Sequence, residues 1–289
     1  MLVTIFTPTY NRAHLLPRVF ESLKQQDCLD FEWIVVDDGS TDDTEQVIHS
    51  LMTENVSFPI FYFKKENGGK HSAVNIGVTK AKGILFFIVD SDDYLPSNAI
   101  RIVTEEWKLI QNEDSFCGVA GLDCYIDGRI VGSGLGRNQL NCNAMEIRYK
   151  YHVTGDLKEV FLTKILKAYP FPEIPNERFC PEQLNWFRIA QKYQLHYFNK
   201  PIYIVEYLEG GLTDGITSAR MNSPIASCMT YQEMLNYPIP FSAKIKAAIN
   251  YWRFRFCINP QTSLFPRING LWNILMPLGW MMHLKDKRS

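Results

Sequence analysis

The sequence predicts a doubly wound α/β domain on a mostly parallel sheet, followed by a C-terminal helical extension, and three features predict it. Short β-branched and aromatic runs alternate with stretches of helical period. The runs are apolar at nearly every position rather than at every second one, and three of them end in a polar cluster. Near-continuous apolar strands belong to sheets covered on both faces, and strand-helix-strand alternation builds a parallel sheet through right-handed crossovers.

LVTIF (2–6) and FEWIVV (31–36) are the first two strands, with Leu15, Leu16, Val19, Phe20 and Leu23 at helical spacing between them. STDDTEQVIHSLM opens the next helix, where Asp42 stands three residues before Glu45 as in a capping box, and IFYF (60–63) follows as a strand. HSAVNIGVTKAK then reads as a helix leading to the strand ILFFIV (84–89). FCGVAGLDCYIDGRIVGSGLG reads as a strand, an Asp-Gly turn and a short return strand, and HYFNKPIYIVEY (196–207) as a strand pair or one bent strand. EYLEGGLTDGITSAR (206–220) suits a mobile loop over a ligand or a plain connector. The division is expected between residues 1–215 and 216–289.

At 289 residues, 46% hydrophobic and 21% charged, the chain has material for a large core. Thirty Lys and Arg against 31 Asp and Glu leave a net charge of -1, which argues against nucleic acid as a partner. Seven scattered cysteines without a C-x-x-C pair indicate neither a zinc site nor a disulfide framework and suit a reducing, cytoplasmic setting. The opening MLVTIFTPTYNR carries no export-signal pattern.

Ligands of open α/β sheets bind beyond the carboxyl ends of the strands. Thr7 to Arg12, Asp37-Asp38-Gly39-Ser40 and Asp90-Ser91-Asp92-Asp93 stand at three such ends. Asp, Gly and Ser also cap helices and form turns, so DDGS alone is ambiguous. Two acid clusters on one edge repel unless cations or donors balance them, and hard oxygen ligands suit Mg²⁺ or Mn²⁺.

Five ordered motifs, TIFTPTYNR, WIVVDDGSTDDT, ENGGKHSAVNIGVTKAKG, FIVDSDD and FCPEQLNWFRIAQKY, give residues 1–210 a resemblance to glycosyltransferase family 2, a group of inverting GT-A enzymes that use nucleotide sugars. The resemblance implies nucleotide-sugar contacts at Pro8, Thr9, Tyr10, Asp38, Asn75, Asp90 and Ser91, and a divalent metal, Mn²⁺ or Mg²⁺, on Asp92 and Asp90, with Asp93 as a support. Lys70 in the NGGK turn is either a phosphate contact or a solvated loop lysine, and the Tyr10 ring is either a nucleotide platform or structural. Many relatives read A-R-N where this chain has Ala73-Val74-Asn75, so Lys70 or His71 is expected to replace the arginine. The late Glu-Asp pair is here Glu182-Gln183, which leaves Glu182 as candidate catalytic base or as an acid favoured in the first turn of a helix. The Q-x-x-R-W signature of processive synthases is not formed, which implies one sugar per encounter.

From Pro238 onward basic residues mix with Phe and Trp, and INGLWNILMPLGWMMHLKDKRS is apolar but interrupted by Asn273, Pro277 and Gly279. It reads as an interfacial segment that makes peripheral contact with the inner face of the cell membrane, or as a helix packed on the catalytic domain or on a dimer partner. The expected partners are a nucleotide-sugar donor and a glycan or polyprenyl-linked acceptor. The competing readings are a non-catalytic sugar-binding or scaffold protein and a metal-dependent phosphatase with Asp90 as nucleophile, although Tyr94 departs from the phosphatase pattern.

Overall fold

The computed structural model describes residues 1–206, 215–259, 262 and 265–288. Most of the loop expected at 206–220 falls on 207–214, outside the described residues. The elements in chain order are β1 (Val3–Thr9), α1 (Leu16–Lys24), β2 (Phe31–Asp37), α2 (Thr44–Met52), β3 (Ile60–Lys64), α3 (Lys70–Lys80), β4 (Leu85–Ile88), α4 (Ala99–Ile110) and β5 (Phe116–Cys124). They continue as β6 (Gln139–Cys142), α5 (Glu146–Tyr149), β7 (Leu157–Leu162), α6 (Thr163–Ala168), α7 (Glu182–Ile189) and β8 (Gln194–Ile204). The last helices are α8 (Ile216–Asn222), α9 (Pro224–Asn236), α10 (Phe241–Arg255), a 3-10 turn at Gly270–Leu275 and α11 (Met276–Asp286).

Two compact units divide the chain, Met1–Pro170 with Arg188–Leu208, and Phe171–Phe187 with Glu209–Ser289. The single division expected at 215/216 is therefore replaced by one in which residues 171–187 join the C-terminal helices. Specific polar contacts hold them there. The buried Glu177 carboxylate accepts from the amides of Ile225 (2.6 Å) and Ala226 (2.8 Å) in the first turn of α9, and Ser223 Oγ accepts from the Phe179 amide.

The first unit is an eight-stranded sheet in the order β3-β2-β1-β4-β7-β5-β8-β6. β1, β2, β3 and β4 are mutually parallel, and every residue of β1, β2 and β4 is buried, as their unbroken apolar runs require. β7 lies antiparallel between β4 and β5, so β5 and its parallel partner β8 regain the direction of β4. Six strands, β1, β2, β3, β4, β5 and β8, consequently end at one edge. Close backbone approach explains one glycine in this arrangement: a Cβ on Gly118 would lie 2.1 Å from the Val160 carbonyl oxygen of β7.

Of the two readings of HYFNKPIYIVEY the single strand forms: β8 ends at Ile204 and pairs with β5 through three register shifts. Two local expectations are corrected. The return strand after the Asp-Gly turn shrinks to a single bridge between Cys124 and Ile130, while β6 and β7 supply the antiparallel pairing. The capping box does not form, because Asp42 accepts from Thr44 and from the Ala13 amide while Glu45 pairs with Lys64 at 2.8 Å.

The second unit packs around Cys228, Tyr251, Phe254 and Ile258. Pro277, which looked like an interruption, lies in the first turn of α11, where its missing amide hydrogen costs nothing. Arg253 grips Asp286 with two hydrogen bonds, and Gly279 lets α11 approach the Trp252 side chain. Among the described residues no helix is long and apolar enough to cross a membrane.

A buried polar cluster ties α4 to β6 and β8. Glu106, 3% exposed, receives Lys200 (2.8 Å), Gln139 (2.9 Å) and a ring nitrogen of His196 (3.1 Å). Burial by itself would raise the Glu106 carboxyl, but the hydrogen bonds from Lys200 and His196 hold it below the usual carboxylate range. A carboxyl lowered in the folded state adds stability above its unfolded pKa of about 4.3 and loses that contribution as pH falls through the folded value. Glu106→Gln should therefore melt below wild type at neutral pH, with the gap in Tm narrowing as the pH is taken below about 4. Thermal melts across pH check this, and a gap that does not change with pH would refute the electrostatic account.

Candidate active site

The ends of β1 and β2 are stitched together before any ligand is considered. The Thr9 carbonyl accepts from the Asp38 amide (2.8 Å), the Asn11 amide donates to Ser40 Oγ (2.8 Å), and Asn11 Oδ1 accepts from the Thr41 amide (2.8 Å). Asn11 takes the left-handed backbone conformation, φ 52°, that asparagine tolerates better than most residues. Pro8 and Thr9 close β1, Thr9 Oγ1 is buried without a hydrogen-bond partner among the described residues, and the Tyr10 ring stands exposed beside them.

Asp37 and Asp38 point inward and do different work. Asp37 accepts from the Ser40 amide (2.7 Å) and the Tyr62 hydroxyl (2.7 Å); burial, and then that contact, push the Tyr62 hydroxyl up. Asp38 receives Lys65 Nζ (2.6 Å) and the Gly68 amide (2.9 Å) on one oxygen and the Gly69 amide (2.7 Å) on the other. The second acid of DDGS thus shapes the NGG turn that starts α3. Lys70, the first residue of that helix, places Nζ 2.6 Å from Asp90 Oδ1, so it is an ion-pair partner of the acid cluster rather than a solvated loop lysine. His71, the next residue of that helix, is buried. Asn75 is half-buried in the second turn of α3.

Asp90, Ser91, Asp92 and Asp93 follow β4 directly. Burial would raise the Asp90 carboxyl, but Lys70 and then Lys158, whose Nζ is 3.9 Å from Oδ2, hold it below the usual range. Asp92 receives Arg12 at 3.1 Å, and the Arg18 guanidinium donates to the Asp92 carbonyl while pairing with Glu206. Ser91 is buried. Tyr203 of β8 accepts from the Asp90 amide and donates to Asp93 Oδ2, both at 2.9 Å. Asp93, pushed up to about 7 by burial and by repulsion from Asp90, supports the turn through Tyr203 and the Glu206 amide.

Arg12, Lys65, Lys158 and Tyr203 were not singled out in the sequence. Arg12 lies within TYNR and Lys65 directly before ENGG, so position next to a motif could have found them. Lys158 and Tyr203 come from β7 and β8, where no local pattern marks them. Glu182 opens α7 after the buried Pro181 and belongs to the second unit, where the Phe171 and Trp186 rings meet at 5.7 Å.

For a divalent ion, Asp90 and Asp92 offer the hard oxygen donors that Mg²⁺ and Mn²⁺ prefer, and among the described residues no group of three His, Cys, Asp or Glu is arranged as a metal cage. Mg²⁺ commonly uses one or two carboxylates and takes its other ligands from water and substrate phosphates, so the donor set fits such an ion. A cavity of about 450 Å³ lined by Lys82, Trp107, Lys164 and Lys167 opens at the opposite edge of the sheet and contains none of these acids.

Residues 4–123 match the model of glycosyl transferase family 2. Over 106 residues the chain is 40% identical to a chondroitin synthase of Pasteurella multocida (strain Pm70), a match covering 37% of this chain; the chain thus spans only 11% of that relative's length. In overall fold it resembles S. aureus TarS 1-349 in complex with UDP-GlcNAc, with a TM-score of 0.66 and 20% identity over 96% of this chain and 79% of that one. It also resembles the mannosyltransferase PcManGT from Pyrobaculum calidifontis in complex with GDP-Man and Mn²⁺, with a TM-score of 0.55 and 16% identity over 99% of this chain and 75% of that one. The match with glycosyl transferase family 2 is thus confined to the N-terminal α/β region that carries the acid clusters of β2 and β4, and the sheet there is of the GT-A type.

Proposed function

We propose that the protein is a metal-dependent, inverting glycosyltransferase that moves a single sugar from a nucleotide-diphosphate sugar to a glycan or polyprenyl-linked acceptor, in surface polysaccharide assembly at the inner face of the cell membrane. The observation that carries this reading is the convergence of Lys70, Lys158 and Arg12 on Asp90 and Asp92 at the end of β4. Together they form a cluster of both signs, suited to a diphosphate and its counterion. The neighbours that hold UDP-GlcNAc, or GDP-Man with Mn²⁺, support it.

In this reading Thr9, Tyr10 and the turn anchored by Asp38 receive the nucleotide, with Pro8, Asn75 and Ser91 beside it. Asp92, with Asp90, would hold a divalent ion, which would supply Lewis-acid stabilisation to the diphosphate leaving group. Lys70 and Arg12 balance the charge of these acids and would face phosphate oxygens of the donor. Glu182 takes the proton of the attacking acceptor hydroxyl, and attack opposite the departing diphosphate inverts the anomeric carbon.

Membrane contact rests on the C-terminal helices. Leu271 is 82% exposed, Ile274 81% and Met281 66%, Leu278 and Trp280 are also exposed, and Lys285, Lys287 and Arg288 follow directly. Apolar residues beside a basic cluster suit an anionic lipid interface.

Nucleoside diphosphate binding should need Mg²⁺ or Mn²⁺, and Asp92→Ala should nearly abolish turnover while the melting curve stays cooperative. Calorimetric titration with and without chelator measures the first part, and full activity of the variant in excess chelator would sink the metal assignment.

Glu182→Gln should keep donor affinity but lose transfer by about 10²-fold or more, the usual scale for a general base. Single-turnover rates and the product anomer by NMR test base and stereochemistry together. A variant at near-normal rate, or a retained anomer, rules out this role. Donor binding by wild type without transfer to any acceptor would instead favour a non-catalytic sugar-binding protein.

Protein of residues 1–289 should float with anionic liposomes, whereas Leu271→Asp with Ile274→Asp, or removal of residues 265–289, should leave it in the soluble fraction with donor binding intact. Equal flotation of all forms would rule out the C-terminal contact.

A further inference from the structure

One buried acid at the same sheet edge has no part in the scheme above. Asp123 stands at the end of β5, is 4% exposed, and its Oδ1 is fully buried with no hydrogen-bond partner among the described residues. A buried polar atom left unsatisfied costs about 1–3 kcal/mol, so the fold alone gives no reason for a carboxyl here. Its direction follows from the sheet. Asp123 is registered against Tyr203 of β8, and registered neighbours present their side chains on the same face. Tyr203 is the residue whose hydroxyl bridges the Asp90 amide and Asp93. Asp123 therefore lies on the face of the sheet that carries the acid turn, beside the place where the diphosphate is proposed to sit.

The charges around it narrow the choice of ligand. Burial, and repulsion from Asp156, Asp93 and Asp90 against the pull of Lys158, push the Asp123 carboxyl up to about 7. A phosphate would meet those same acids and be repelled. A hydroxyl or amide hydrogen donates to such a carboxyl without adding charge, and sugars are dense in both. Lys158 crosses the Tyr203 ring at 3.6 Å to its centroid and reaches towards Asp90, and its one positive charge acts on both the acid turn and Asp123.

We infer that Asp123 forms a donor-sugar subsite, in which its unpartnered oxygen accepts a hydrogen bond from a hydroxyl or N-acetyl amide of the transferred sugar. This rests on the nucleotide-sugar reading above and adds to it the residue that reads the sugar rather than the nucleotide.

The test compares binding of UDP- and GDP-linked hexoses and N-acetylhexosamines with that of the matching nucleoside diphosphate, by calorimetry in Mn²⁺, for wild type, Asp123→Leu and Asp123→Asn. For the sugar nucleotide that wild type binds best, Asp123→Leu should raise the ratio of its Kd to that of the free nucleoside diphosphate at least tenfold, with the diphosphate Kd unchanged within twofold. Asp123→Asn keeps size and one acceptor oxygen, so it should fold even if the leucine variant does not and should shift the ratio in the same direction by less. An unchanged ratio, or equal weakening of sugar nucleotide and nucleoside diphosphate, would overturn the subsite and leave nucleotide binding standing. Failure of wild type to bind any nucleotide in the panel would overturn the nucleotide reading and the subsite with it.

Discussion

Like charges crowded at one end of a sheet are the constraint on which the first unit depends. Two carboxylates about 4 Å apart repel by about 4 kcal/mol at the effective dielectric of a protein surface, so Asp90, Asp92 and Asp93 cannot follow β4 without compensation. The cations come from separate parts of the chain: Arg12 after β1, Lys70 from the start of α3 and Lys158 from β7. Where cations do not suffice, burial and repulsion shift the proton balance instead, as at Asp93. The site is thus an electrostatic contract among four elements, and its geometry depends on the sheet order that brings them together.

The second acid cluster solves a different problem. A glycine-rich turn has high conformational freedom in the unfolded chain, and holding it costs entropy. Asp38 offsets that cost by accepting from the Gly68 and Gly69 amides and from Lys65, which sets the direction in which α3 departs and so the reach of Lys70. Asp37 and Asp38, adjacent in sequence, therefore act on opposite sides of one strand end. Asp37 fixes its own loop through Ser40 and anchors Tyr62 of β3, while Asp38 organises the next crossover.

The C-terminal unit follows another logic. Its core is small and aromatic, built on Tyr251, Phe254 and the rings packed around them, and its last helix is held by the Arg253 to Asp286 pair and by the close approach at Gly279. Apolar side chains of the final segment that do not enter this core remain at the surface, Leu271 and Ile274 most of all. A helix can be firmly docked on one side and still present an apolar face on the other, which is why hydrophobicity along the sequence alone could not separate a packed helix from an interfacial one.

By itself the sequence determined the parallel half of the sheet, because continuous apolar runs between helices of regular period leave few alternatives, and it located the acid turns, because strand ends in such sheets are where polar residues gather. Thr7 to Arg12, Asp37 to Ser40 and the Asp90 to Asp93 segment were legible in this way as polar strand ends, whereas the roles proposed for Pro8, Thr9, Tyr10, Asp38 and Asn75 come from the family resemblance. The antiparallel insertion of β7, the docking of residues 171–187 with the later helices, and the contributions of Lys158, Tyr203 and Asp123 were decided only by the tertiary structure. The physical reason is long-range pairing. Tyr203 meets Asp90 across more than a hundred residues, and Asp123 shares a face with that turn only because β5 and β8 end at the same edge as β4. Charge balance and sheet register are properties of the assembled fold, and no local pattern in the chain encodes them.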